Sequence, residues 1–128
     1  MSVLRVGIIG LGMAVAPHAE ALLALSGRIE VVAAFSPTAS RRQEFADRYE
    51  LPVVDSLQAI LSDASIDAVL ILTPPSSHLE LVEQAARAGK HILLEKPLDI
   101  STERAEAVIA AARDAGVKLG IVFQNRFR

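Results

Sequence analysis

The sequence predicts an α/β fold, a doubly wound and mostly parallel sheet of about six strands with helices on both faces. Three observations carry that expectation. Short apolar runs alternate with helix-period stretches along the whole chain, with no internal repeat and no low-complexity linker. Of the 128 residues 52% are hydrophobic but only 4% aromatic, so the core must be built from Val, Ile, Leu and Ala, which suits strands buried on both faces. The first apolar run ends in Gly10-Leu11-Gly12, and a helix-like segment follows at once.

In chain order, Val3–Ile9 reads as a first strand. Residues 14–25 read as a helix with Ala16, Ala19, Leu22 and Leu23 on one face. Proline is tolerated only in a first turn, so Pro17 delays the regular helix to Val15 or Ala16. Ile29–Phe35 is a β-branched second strand, and Ser36-Pro37-Thr38 turns the chain. Thr38 or Ser40 is expected to cap a helix over Arg41–Tyr49. Pro52–Val54 forms a short third strand, and Ser56 caps a small helix over Leu57–Leu61. The uninterrupted run Ala68–Leu72 predicts a central strand, stopped by Thr73-Pro74-Pro75. A helix over Ser77–Ala88 ends at Gly89, and His91–Leu94 is the next strand, halted by Pro97. Ser101 or Thr102 caps an alanine-rich helix that ends at Gly116, and Lys118–Phe123 is the last strand.

Composition narrows the partners. A net charge of −2 without a basic block argues against nucleic acid and against an anionic membrane surface. There are no cysteines, so disulfides, thiol catalysis and cysteine-bound zinc are excluded. No histidine pair has metal-ligand spacing, and no metal is expected. No apolar run approaches the roughly 20 residues of a membrane helix. A cytoplasmic protein is expected.

Ligands of a doubly wound sheet bind beyond the carboxyl ends of its strands. That rule selects Gly10, Leu11, Gly12, Met13 and Ala14 after the first strand, Ser36 after the second, Thr73, Pro74, Pro75, Ser76 and Ser77 after the fourth, and Glu95, Lys96 and Pro97 after the fifth. Strand, glycine turn and helix in that order suit a dinucleotide. One glycine makes the turn, the next admits a pyrophosphate, and the helix N-terminus supplies free N–H groups and partial positive charge. No Gly-Lys-Ser or Gly-Lys-Thr follows the glycines, so a mononucleotide phosphate loop is absent. Ser36 stands where NAD-binding domains place an acidic residue for the ribose hydroxyls. Without that carboxylate a 2′-phosphate is not repelled, and Arg41 or Arg42 could neutralise it, unless both merely line a solvated helix face. The lean is toward NADP over NAD. Lys96 directly follows a buried strand, where a nicotinamide would lie. A lysine there could transfer a proton or polarise a substrate oxygen. His78 reads as a capping or packing residue, and His18 as either core-facing or lining the cleft. His91 is given no chemistry.

These residues together resemble the N-terminal domain of the Gfo/Idh/MocA family of sugar and polyol oxidoreductases. The resemblance rests on residues 6–12 with His18, on Thr73-Pro74-Pro75-Ser76-Ser77-His78, and above all on residues 88–97, Ala-Gly-Lys-His-Ile-Leu-Leu-Glu-Lys-Pro. Gln124-Asn125-Arg126-Phe127 is similar to the family's exit from its nucleotide domain. The resemblance implies a nicotinamide-dependent oxidoreductase of a sugar, polyol or related compound. Lys96 would be its catalytic lysine and Glu95 would lie near the nicotinamide ribose, while Thr73, Pro74 and His78 line the cleft. It further implies that residues 1–123 are the dinucleotide domain and 124–128 begin the connection to a substrate domain, absent here, that carries the interface of a homo-oligomer. On that reading this chain alone is inactive. The alternative is a stand-alone nucleotide-sensing module without catalysis. Two departures from the family pattern stand out. Val15 replaces a small residue and is expected to push the first helix outward or force repacking, and Ser36 replaces the acidic residue of NAD-preferring members.

Overall fold

Strands form where the β-branched runs lie, and their order in space is set by right-handed crossovers. The computed structural model describes residues 3–12, 15–95 and 101–122. Its elements are β1 (Leu4–Ile9), α1 (Val15–Ala24), β2 (Ile29–Phe35), α2 (Ala39–Tyr49), β3 (Val53–Val54) and α3 (Leu57–Leu61), followed by β4 (Ala68–Ile71). A 3-10 turn (Pro75–Ser77) leads into α4 (His78–Arg87), β5 (His91–Glu95), α5 (Thr102–Ala115) and β6 (Leu119–Val122). The six described strands make one sheet in the order β3-β2-β1-β4-β5-β6, every pair parallel. Strand order reverses between β1 and β4. That switch point opens a crevice at the carboxyl ends of the strands.

Two apolar layers hold the sheet. On one face Ile9, Val69, Ile71, Ile92 and Leu94 pack against Ile60 of α3, Val82 and Ala85 of α4, and Val108 of α5. On the other, Val6, Ile8, Val31, Ala34 and Leu70 meet Val15 and Ala19 of α1 and Phe45 of α2. The alternation of core membership along β4 is the signature of a strand buried on both sides.

Several boundaries follow the sequence closely. Helix α1 begins at Val15, which puts Pro17 in its first turn, where no intrahelical N–H is missed. Ser56 caps α3 by accepting the Ala59 N–H at 3.2 Å, and Ser101 caps α5 by accepting the Arg104 N–H at 3.2 Å. Gly89 and Gly116 take positive φ after α4 and α5. Three readings need correction. Leu23 is 41% exposed, because it lies one residue round from the stripe of Val15, Ala19 and Leu22 that α1 turns to the sheet. Helix α2 starts at Ala39 rather than Arg41, with Thr38 at its N-cap but no side-chain cap bond. Strand β6 starts at Leu119, while Phe123 lies outside the described residues. Val15 is buried in the α1–α2 core layer, so the larger residue is taken up as part of the core.

Candidate functional site

The first loop is built around Gly10. Its N–H donates to Phe35 O at 2.9 Å, and its φ is +104°. A Cβ there would lie 3.0 Å from the Leu72 carbonyl carbon and the Thr73 nitrogen, so only glycine allows β1 to turn against the end of β4. Gly12 is different. A Cβ at Gly12 would meet only Arg41 Nη1, at 3.6 Å, so the missing side chain leaves open space beside the backbone. The start of α1 follows, with Val15 N–H donating to Gly12 O at 3.2 Å and no acidic residue in the helix's first turn to compete for an anion. Open space, glycine backbone and an unopposed helix N-terminus suit a pyrophosphate. Met13 and Ala14, the other two expected contacts in this loop, lie outside the described residues.

At the end of β2 the two candidate arginines separate. Arg42 Nη1 donates to Ser36 O at 2.7 Å and so closes the turn after the strand. The Arg41 side chain has no hydrogen-bond or ion-pair partner among the described residues, and its guanidinium reaches back to Gly12. Ser36 itself is 1% exposed, and its hydroxyl accepts the Thr38 N–H at 3.2 Å. The Ser36 hydroxyl is thus folded into the turn, because the short side chain satisfies the local backbone.

After β4, Thr73 lines a cavity and Pro74 follows it as an exposed residue of the same loop. Ser77 Oγ lies 2.6 Å from Thr73 Oγ1 and 2.8 Å from Pro74 O, fixing the loop from within the turn. His78 is fully buried and donates from Nε2 to Thr73 O at 2.9 Å. It stands behind the loop, where its burial fits the packing role read from the sequence. An apolar cavity of about 380 Å³ opens between Gly10, Phe35 and Pro37 on one side and Thr73, Ser77 and Leu81 on the other. Glu80, also at this cavity, is held by Arg104 of α5 at 2.9 Å. Ser77 falls in the loop the sequence rule selects, whereas Pro37 and Leu81 were missed. Their signal was available, because each belongs to a loop or helix start that directly follows a strand.

A second groove, of about 390 Å³, runs between α1 and α2 from Gly12 and Arg41 down to Phe45 and Tyr49. Only its upper end reaches the carboxyl edge of the sheet. Tyr49 Oη is buried there without a partner among the described residues.

At the end of β5, Glu95 is 8% exposed and its Oε2 accepts from His18 Nε2 at 2.7 Å. This pair was not anticipated. The two residues lie 77 positions apart, so no local pattern announces it. Lys96 and Pro97 lie outside the described residues. At the opposite edge of the sheet, His91 Nδ1 accepts the Lys118 N–H at 3.0 Å, a structural contact. Nearby, buried Lys90 donates to Asp63 O at 2.6 Å and Ile66 O at 2.9 Å. The Asp63 carboxyl is held below its ordinary value, first by the Ser65 hydroxyl and then by the Ser65 N–H.

Residues 4–123 match the oxidoreductase family defined by its NAD-binding Rossmann fold. The chain belongs to the Gfo/Idh/MocA family. It is 37% identical to inositol 2-dehydrogenase of Rhizobium meliloti over 96% of this chain and 37% of that enzyme. A 3-ketoreductase from Actinomadura kijaniata, solved with NADP and TDP-benzene, superposes with a TM-score of 0.87 at 33% identity, covering 99% of this chain and 39% of that one. The WlbA dehydrogenase from Bordetella pertussis, solved with NADH and UDP-GlcNAcA, gives 0.92 at 27% identity, over 100% of this chain and 38% of that one. The chain thus spans little more than a third of the length of these relatives, the part that is the family's NAD(P)-binding domain. No described helix is long and apolar enough to cross a membrane.

Proposed function

We propose that this chain is the cofactor-binding part of an oxidoreductase that moves a hydride between NADP and a sugar, polyol or related hydroxyl or carbonyl compound. The observation that carries the reading is the placement of Gly10, Gly12, Thr73 and Glu95 at the carboxyl ends of β1, β4 and β5, with Arg41 in the first turn of the helix after β2, around one switch point. The cofactor supplies the hydride chemistry, and the chain supplies its binding and orientation. Gly10 and Gly12 admit the pyrophosphate to the start of α1. The apolar cavity between Phe35 and Leu81 takes the adenine face, with exposed Pro74 next to Thr73 in the same loop. Arg41, whose side chain has no partner among the described residues, pairs with a 2′-phosphate, while Ser36 leaves room for it by presenting no carboxylate. Lys96, next after Glu95 in the sequence, then holds or donates the proton of the reacting oxygen.

The share of each relative that the chain covers supports a two-part protein, in which residues 1–123 are the dinucleotide domain and 124–128 open toward a substrate domain. Substrate positioning belongs to that second part. The charge balance and the lack of a membrane-length apolar run support a cytoplasmic protein with no nucleic-acid or membrane partner, and the resemblance supports a homo-oligomer. Titration of the chain with NADPH and NADH, followed by nicotinamide fluorescence, tests the cofactor assignment. Tighter binding of NADPH is expected. Tighter binding of NADH would refute the role given to Arg41 and Ser36.

A further inference from the structure

We propose that His18 is a positioning residue for the nicotinamide half of the dinucleotide, acting through Glu95. This inference rests on the dinucleotide reading given above and goes beyond it. His18 Nε2 lies 2.7 Å from Glu95 Oε2, and the two side chains are only 16% and 11% exposed. A carboxylate only accepts, so the imidazole carries its proton on Nε2 and donates it.

The two ends of this bond belong to different parts of the site. His18 stands in α1, which begins three residues earlier, directly after the glycine loop. Glu95 is the last residue of β5. The order β2-β1-β4-β5 puts the cavity that spans β1, β2 and β4 on one side of the sheet and Glu95 on the other. A dinucleotide with its pyrophosphate at Gly10–Gly12 and its adenosine in that cavity therefore has its second half toward β5. His18 fixes the carboxylate that this second half meets, relative to the helix that meets the phosphates.

The physical reason is conformational. A free glutamate side chain loses rotamer freedom when it is ordered by a ligand. Here His18 has ordered Glu95 before the cofactor arrives, so that cost does not fall on binding. The pair is also largely withdrawn from water, unlike a surface ion pair that contributes little.

The test uses the 128-residue chain and two ligands. NADPH reaches both halves of the site, while adenosine 2′,5′-bisphosphate occupies only the adenosine half. His18→Ala should weaken NADPH binding by about tenfold and leave the bisphosphate within about twofold, since a bond to a charged group is lost on one side only. His18→Gln, whose amide N–H can reach the same carboxylate, should restore most of the loss. Equal NADPH affinity in His18→Ala would overturn the proposal. So would a parallel loss for both ligands, which marks general damage to the fold, or a failure of His18→Gln to rescue. Wild-type chain that binds neither ligand would overturn the dinucleotide reading and this inference together, an outcome distinct from the other three.

Discussion

Replacing Lys90 with methionine should destabilise the fold while leaving the carboxyl edge of the sheet untouched. Lys90 is 4% exposed, and its ammonium donates to Asp63 O at 2.6 Å and Ile66 O at 2.9 Å, pinning the segment between α3 and β4. Methionine keeps the buried stem but removes the donor. Asp63 O retains a second partner, the Ile66 N–H at 3.1 Å, so the damage falls mainly on Ile66 O. Each charge-assisted bond contributes about 1.5–3 kcal/mol, and an acceptor left buried and unpaired costs about 1–3 kcal/mol. Against this stands relief from burying the ammonium, worth several kcal/mol before its hydrogen bonds are counted. The balance is a net loss of about 2 kcal/mol. For a domain of this size that lowers the melting temperature by about 7 °C. Thermal unfolding followed by circular dichroism measures it, with exposed Lys118→Met as the control expected to stay near wild type. A Lys90→Met variant melting within about 2 °C of wild type would refute the reasoning, because the ammonium would then be replaceable by packing alone.

Three other outcomes follow from the same structure. Arg41→Ala should weaken NADPH binding about tenfold with little effect on NADH, as read by fluorescence titration, since only one of the two carries the charge that a guanidinium pairs with. Gly10→Ala combines a φ of +104° with Cβ contacts of 3.0 Å to backbone atoms, so it should cost about 2–4 kcal/mol in chemical denaturation and abolish dinucleotide binding. The folded Asp63 carboxyl lies below its ordinary value of 3.8, so its stabilising contribution is present above that value and is lost as pH falls through the folded one. The melting temperature of wild type should therefore exceed that of Ser65→Ala near neutrality, with the gap shrinking in acid. A gap that widens in acid would show the opposite sign.

Much of this molecule is legible in the order of its residues. The Val- and Ile-rich runs specify strands, and serine or glycine at the helix ends specifies where α3, α4 and α5 start or stop. Pro17 stands in the first turn of α1 as described, where its ring is accommodated. What escaped depends on contacts between distant segments. The choice between Arg41 and Arg42 could not be made from adjacency, since both sit on one exposed helix turn. It is decided by the Ser36 carbonyl, which Arg42 reaches and Arg41 does not. His78 carries a motif position that suggests the cleft, yet its ring is drawn inward by the Thr73 carbonyl. Nothing near His18 names Glu95 as its partner. Lys90 is an ordinary charge in the sequence, and only the carbonyls of Asp63 and Ile66 make its burial tolerable.

Amide hydrogen exchange of the chain with and without NADPH tests the central claim, that the carboxyl edge of the sheet is where the dinucleotide binds. Added NADPH should slow exchange at Leu11, Gly12 and Val15 and in the Thr73–Ser77 loop, and leave the opposite edge, around Ser65 and Lys90, unchanged. Slowing confined to the Ser65–Lys90 edge, or spread evenly over the domain with no focus at Gly12, would contradict it.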